Sequence, residues 1–251
     1  MSDTASTSSD GPADDARAHL LHRARAYPYA APEHSYLYTA DGIRAFESRA
    51  CAGRTPVLAI GSNRAPERLR QKFGHALHHT IPVQRARLRH FDVVYSAHIT
   101  SYGAAPAMLQ VSPGTEVEIW VTWLDAEQLT LMHETERGAA NYHYAELADV
   151  RLTMEDGTHA RSVFAYVSTR GHMLHRGRAL ALKDVPARGR RYAHATTAET
   201  LEHIRRRVGA EDHHPDEFVA RLVQDAPYRA EVTERLAQDA VPLQHPLRII
   251  E

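Results

Sequence analysis

The chain has 251 residues, 43% of them hydrophobic, with a formal net charge of -1. That is enough apolar material for one full domain with additions, or for two small ones. The balanced charge gives no overall field toward nucleic acid or an acidic membrane, and a single cysteine, Cys51, excludes an internal disulfide and any cysteine-rich zinc site.

Lone cysteine usage suits a reducing compartment. No apolar run approaches the ~18–20 residues needed to span a bilayer. The N-terminal "MSDTASTSSDGPADD" has no basic start and no apolar segment, so it does not read as a secretory signal. The expectation is a cytoplasmic protein without nucleic-acid or membrane partners.

In chain order, residues 1–13 are small and polar and read as a disordered tail. "DDARAHLLHRARA" over Asp14–Ala26 predicts a short helix, and a Tyr- and Pro-dense stretch follows that fits either a packed arm or a loop. Ile43–Ala52 predicts a second short helix. Val57–Ile60 reads as a buried strand, and Ala65–Phe73 as a helix with Pro66 in its first turn, where the missing N–H costs least. Ala86–Tyr95 predicts a strand. "SPGTEVEIWVTWL" predicts a Pro-Gly turn, then a strand with Val117, Ile119, Val121 and Trp123 at period two, and Trp120 on its opposite face.

Asp125 is placed to cap a helix from Ala126 to about Thr135. Tyr142–Met154 and Ala160–Val167 flank the turn "EDGT" and read as a hairpin. From Thr196 onward the patterns are helical, and "RRR" at Arg205–Arg207 reads as a solvated face. These helices suit a packing element or the interface of a homodimer. The resulting division is a tail (1–13), an N-terminal extension (14–54), a sheet core (55–195) and a C-terminal helical tail (196–251). The fold class is α+β, with consecutive strands favouring a small mixed β-barrel or curved sheet with few helices.

Two stretches carry chemistry. Gly61-Ser62-Asn63 stands between a strand and a helix. Glycine there permits close approach to the backbone, and the N–H groups at a helix start favour a carboxylate or an oxyanion; a plain structural turn fits the same residues. The spacing matches no P-loop, dinucleotide fingerprint or nucleophile elbow. The second stretch, "MHETERGAANYHY" over 132–144, puts Glu134 and Glu136 near a predicted helix C-terminus. Negative charge there is unfavourable, which raises the question of whether one glutamate serves chemistry or both are solvated.

Together these pieces resemble the γ-glutamyl cyclotransferase family, as a divergent member. Members carry Tyr-Gly-Ser-Asn at a strand end, then a strand pair, then a helix ending in Leu-Asp-x-x-Glu-Gly, then a Tyr. Here the same order runs Ile60-Gly61-Ser62-Asn63, Tyr102–Leu124, "MHETERG" at 132–138, and Tyr142. The resemblance covers about 55–170. Ile60, Met132-His133, Arg137 and Trp120 depart from the pattern and imply a reshaped pocket.

The resemblance makes Glu136 the general acid/base, the Gly61, Ser62 and Asn63 backbone the cradle for the substrate, and Tyr142 and Tyr166 pocket phenols, with Tyr144 the alternate to Tyr142. If the departures instead serve different amide chemistry, Arg137 beside Glu136 would pair with a substrate carboxylate or depress the Glu136 pKa. The implied reaction converts a γ-glutamyl amide into 5-oxoproline and an amine. The substrate's own α-amine is the nucleophile, so no cofactor and no metal is called for. One carboxylate suffices if burial brings its pKa toward working pH.

Other amide chemistry on the same fold, or a non-catalytic binding protein with Glu136 tied up in an ion pair, are the alternatives. His75, His78, His79, His133, Glu134 and His143 raise a metal reading, but "HETER" lacks the His-Glu-x-x-His spacing.

Overall fold

The structure, a computed structural model, describes residues 12–74, 80–137 and 141–250; the side chains of residues 12, 13 and 137 lie outside that description. The expected disordered tail therefore falls outside it, except that Pro12 opens the first helix, α1 (Pro12–Arg25).

Next come two strands, the first in the stretch read as an arm or a loop and the second overlapping the start of the predicted Ile43–Ala52 helix. β1 (Tyr36–Thr39) and β2 (Gly42–Ala45) form a hairpin with Thr39 opposite Gly42. Of the predicted Ile43–Ala52 helix only one 3-10 turn remains, at Ser48–Cys51. The reason is tertiary: Tyr36, Leu37 and Tyr38 are buried, and long-range pairing of this hairpin with the main sheet outweighs local helix preference.

The main elements follow as β3 (Thr55–Ala59), α2 (Pro66–Phe73), β4 (Ile81–Tyr95), β5 (Ala107–Leu124), α3 (Ala126–Arg137), β6 (Tyr142–Met154) and β7 (His159–Ser168). Asp125 accepts the Gln128 N–H at 2.9 Å, capping α3 as predicted. β6 and β7 form the predicted hairpin, with Thr153 opposite His159. Then come β8 (Leu174–His175), β9 (Arg178–Leu182), β10 (Ala187–Arg188), β11 (Ala193–Ala195), α4 (Thr197–Arg207), α5 (Pro215–Gln224), α6 (Ala226–Ala237) and β12 (Leu247–Ile249).

Five strands close a ring: β3 pairs with β5, β5 with β4, β4 with β6, β6 with β7, and β7 with β3. Only the β3–β7 pairing in this ring is parallel, so the barrel is mixed. The fold is thus α+β, a small mixed barrel within a larger curved sheet, with six α-helices among the described residues. None of these helices is long and apolar enough to cross a membrane.

The Pro113-Gly114 pair does not end a strand as predicted. β5 runs straight through it, and Gly114 (φ 89°) lies across from a register shift between Arg89 and Phe91, where His90 has φ 69°. The Gly114 N–H donates to His90 Nδ1 at 3.2 Å. A bulge absorbs the Pro-Gly locally and bends the ladder, which a closing barrel needs.

β3 explains its own uninterrupted apolar run. Leu58 faces one core with Leu88, Val121 and Leu147, while Val57 and Ala59 face another with Leu69, Phe73 and Met132. A strand covered on both faces has no solvated side to make polar. Burying Leu69 and Phe73 contributes about 1.5–3 kcal/mol each and anchors α2 against α3.

The first core continues into α4–α6 through Leu201, Phe218 and Leu236. A Thr196–Glu199 capping box starts α4. The chain end departs from the predicted helical tail, because β12 pairs antiparallel with β6, Leu247 opposite Leu147.

Candidate active site

Strand β3 delivers Ile60 and Gly61 to the mouth of a cavity of about 330 Å³. The predicted direct hand-over to a helix is interrupted by a 3-10 turn, Ser62–Arg64, closed by Ala65 N–H donating to Ser62 O at 2.9 Å; α2 begins only at Pro66. The first N–H groups of such a turn have no partner within it, so the turn keeps the donors that a helix start would offer.

Gly61 is required by close approach. A Cβ there would lie 2.0 Å from Tyr27 Oη and 3.2 Å from Ala107 Cβ. Tyr27 comes from the Tyr- and Pro-dense segment, which is a packed arm: its hydroxyl accepts the Ala107 N–H at 2.8 Å and its carbonyl accepts Thr197 Oγ1–H at 2.7 Å. Tyr29 and Tyr102 pack on the same ring at 6.0 and 6.4 Å between centroids. Gly61→Ala is expected to cost about 1–3 kcal/mol by overpacking, read as a fall in the urea midpoint. Adding Tyr27→Phe, which removes the clashing oxygen, should recover part of that loss; no recovery would mean that the contact is not the cause.

From the other side α3 presents Met132 and Glu136, four residues apart and so on one face. Asn63 Nδ2 donates to Glu136 Oε1 at 2.8 Å, and Lys72 Nζ forms a short ion pair with the same oxygen. Lys72 also lies 3.3 Å from Met132 Sδ. The Lys72 side chain is 2% exposed and that of Glu136 15%, whereas Glu134 is exposed.

Burial by itself pushes the Glu136 carboxyl up, but Lys72, Asn63 and Arg68 together outweigh it and hold the group below the usual carboxylate range. This corrects the expectation that burial would carry its pKa toward working pH. Burial also lowers the Lys72 ammonium from its ordinary value, against the attraction of Glu136.

Tyr142 and Tyr166 both line the cavity. Burial, reinforced by Glu136, raises the Tyr142 phenol well above its ordinary value, so it remains an O–H group. Its oxygen lies 3.5 Å from His98 Nε2. His98 Nδ1 is 3.0 Å from Ser96 Oγ, which bonds in turn to Ser168 Oγ at 2.7 Å. Burial, with Arg170 nearby, lowers His98 to about 4, leaving a neutral imidazole at pH 7. Tyr166 Oη meets His133 Nδ1 at 2.8 Å. Tyr144, the alternate, instead stacks on Phe164 at 5.3 Å.

The structure thus brings Gly61, Ser62, Asn63, Glu136, Tyr142 and Tyr166 around one cavity. The Arg137 side chain lies outside the described residues, as do His75, His78 and His79. Trp120 lines a different cavity, so only Ile60 of the departing residues that are described shapes this one. Among the described residues no group of three or more His, Cys, Asp or Glu side chains is arranged to hold a metal ion.

Lys72, His98 and Tyr27 were missed from the sequence. Lys72 had a signal: it falls three residues after buried Leu69 and one before buried Phe73, on the flank of the apolar stripe. His98 and Tyr27 had none, since strand pairing and arm packing place them.

Comparison with solved structures finds likenesses at low identity. A structure titled γ-glutamyl cyclotransferase is 16% identical, covering 78% of this chain and 94% of its own, with a TM-score of 0.37. An uncharacterized protein from Homo sapiens is 16% identical, covering 87% and 95%, also with a TM-score of 0.37. A protein from Arabidopsis thaliana with a solution structure is 17% identical, covering 63% and 87%, with a TM-score of 0.35. No family model matches the chain, and no curated protein does.

Proposed function

We propose that this protein cleaves a γ-glutamyl amide by intramolecular cyclisation, releasing 5-oxoproline and a free amine. The observation that carries the reading is the 2.8 Å contact between Asn63, on the Gly-Ser-Asn turn, and Glu136, with both residues lining one open cavity. A base and a candidate oxyanion cradle then stand within reach of one small substrate, as positioned acid–base catalysis requires.

The chemistry balances on one carboxylate. Ionised Glu136 takes a proton from the substrate ammonium. The freed amine attacks its own γ-carbonyl, forming the ring C–N bond, and the carbonyl oxygen becomes an oxyanion facing the N–H groups of the turn. Glu136 returns its proton to the departing nitrogen as the amide C–N bond breaks. The ring nitrogen then passes its surplus proton through the same carboxylate to the released amine, which leaves as an ammonium and restores ionised Glu136. The Lys72 ion pair keeps Glu136 ionised at rest, which is the form the first step needs.

A non-catalytic binding role is the second reading, favoured by the same ion pair, which occupies one Glu136 oxygen. Mass spectrometry on a pool of γ-glutamyl amides separates the two. The cyclisation reading expects equal amounts of 5-oxoproline and one amine, and the amine would identify the substrate. Folded wild-type protein that releases neither would sink it.

A further inference from the structure

One buried imidazole takes no part in the cyclisation chemistry. His98, 2% exposed, lies on the wall of the reaction cavity just after β4. Two buried serines hold it from behind: Ser96, two residues earlier in the chain, and Ser168, the last residue of β7. Tyr142 stands on its other side, with the two rings 5.7 Å apart, edge to face.

Counting partners places the protons of this row. Ser168 Oγ lies 2.7 Å from Ser96 Oγ and accepts the Arg170 N–H at 3.2 Å. With no other acceptor among the described residues, the Ser168 hydroxyl donates to Ser96. Ser96 Oγ is also 3.1 Å from the Gly171 carbonyl and 3.0 Å from His98 Nδ1. A carbonyl only accepts, so Ser96 donates to Gly171 and is left to accept from a protonated Nδ1. The Gly171 oxygen, which takes the Ala97 N–H as well at 2.8 Å, then has both lone pairs filled. A neutral imidazole carries one ring proton. Nε2 is therefore a lone pair, and it faces Tyr142 Oη at 3.5 Å. The phenol gives its proton to that lone pair. The contact is long, as catalytic hydrogen bonds often are before a ligand arrives. In the opposite tautomer Ser96 would donate to Nδ1 and forfeit the Gly171 bond, and the Tyr142 O–H would have no acceptor among the described residues. Hydrogen bonds left unmade in this way are costly.

We propose that Tyr142 meets the substrate with an oxygen lone pair rather than a proton, accepting a hydrogen bond from the α-ammonium, and that His98 is the positioning residue that fixes this polarity. Ionised Glu136 lines the same cavity, so two acceptors converge on one cationic donor. The phenol holds the ammonium while Glu136 takes its proton. An amide lacking the α-amine gives the phenol nothing to accept. The identity of the ligand rests on the cyclisation reading; the tautomer does not.

Two measurements on the full chain test this. Long-range proton–nitrogen correlation of the histidine rings at pH 7 should show His98 with a protonated Nδ1 and an unprotonated Nε2, its signals identified by their change in Tyr142→Phe. An NMR titration should then find that Tyr142→Phe and His98→Leu each bind γ-glutamylethylamide about tenfold or more weakly than wild type does, the usual worth of a hydrogen bond to a charged group. Binding of its deaminated analogue, N-ethylglutaramate, should stay unchanged, whereas a merely structural role would weaken both compounds alike. His98→Gln, whose side-chain oxygen can accept the phenol proton, should recover part of the loss seen in His98→Leu. If His98→Leu does not fold, Tyr142→Phe, which loses a single oxygen, carries the test. A protonated Nε2, equal losses for the two compounds, or no preference of folded wild type for the aminated one would each overturn the proposal. Wild type that shows the expected signatures yet releases no 5-oxoproline would sink the cyclisation reading alone.

Discussion

Glu136→Gln is expected to lower 5-oxoproline release from a γ-glutamyl amide by about 10²–10⁴-fold, the usual worth of a positioned acid–base group. The substitution is isosteric. Asn63 Nδ2 can still donate to the retained side-chain oxygen, so the turn and α3 keep their contact. What disappears is the group that accepts and returns the proton. The variant also leaves Lys72 buried without its counter-charge, so fold integrity must be checked by circular dichroism and a urea midpoint. A neutral pair, Glu136→Gln with Lys72→Met, gives the same catalytic test without an orphaned cation. Full activity in either folded variant would remove Glu136 from the reaction.

Lys72→Met should produce the second large effect, and it has two readouts. Removing one partner of a buried ion pair costs about 3–5 kcal/mol when the other charge remains buried. In the wild type the Glu136 pKa is depressed, so its stabilisation is fully present above the unfolded-state value and lost as pH falls through the folded one. Without Lys72, the upward push of burial is opposed only by Asn63 and Arg68. The stability deficit is therefore greatest near pH 8 and shrinks as acid neutralises the carboxyl. Urea unfolding at pH 5 and pH 8 measures this.

The second readout is the acid limb of kcat/KM. Ionised Glu136 is the competent base, so activity falls as pH drops through its folded pKa. Lys72→Met should move that limb to higher pH. A limb that stays in place, in a variant with unchanged stability, would mean that Lys72 does not set the state of Glu136.

Much of the candidate site was legible along the chain because its parts are local. Gly61-Ser62-Asn63 announces itself as a corner at the end of an apolar run. Glu136 is conspicuous because a carboxylate near a helix C-terminus has no local reason to be there. The partners were not legible. Glu136 meets Lys72 64 residues away, and no periodicity connects α2 to α3. The partner suggested from the sequence, Arg137, is adjacent in the chain, and its side chain lies outside the described residues. Judging the Glu136 pKa from burial alone went astray, since the cation that reverses its direction arrives through packing.

The strands show the same boundary. Alternation in β5 and the turn between β6 and β7 depend on neighbours in sequence, and the chain declares them. So do the Asp125 cap and the Thr196–Glu199 box. Closure of the barrel does not: it depends on β3 lying parallel to β7, more than 100 residues later, and on bulges that bend β4 and β6. The Tyr36–Ala45 segment became a hairpin because the β4 edge offered it hydrogen bonds. By itself the sequence determined the α+β class, most element positions, and the turn and glutamate of the site. Only the tertiary structure decided which charge faces Glu136, which tyrosine walls the cavity, and which imidazole stands beside that tyrosine. Local preferences act over a few residues, whereas pairing partners, burial and electrostatic fields are set by groups that the chain separates and the fold brings together.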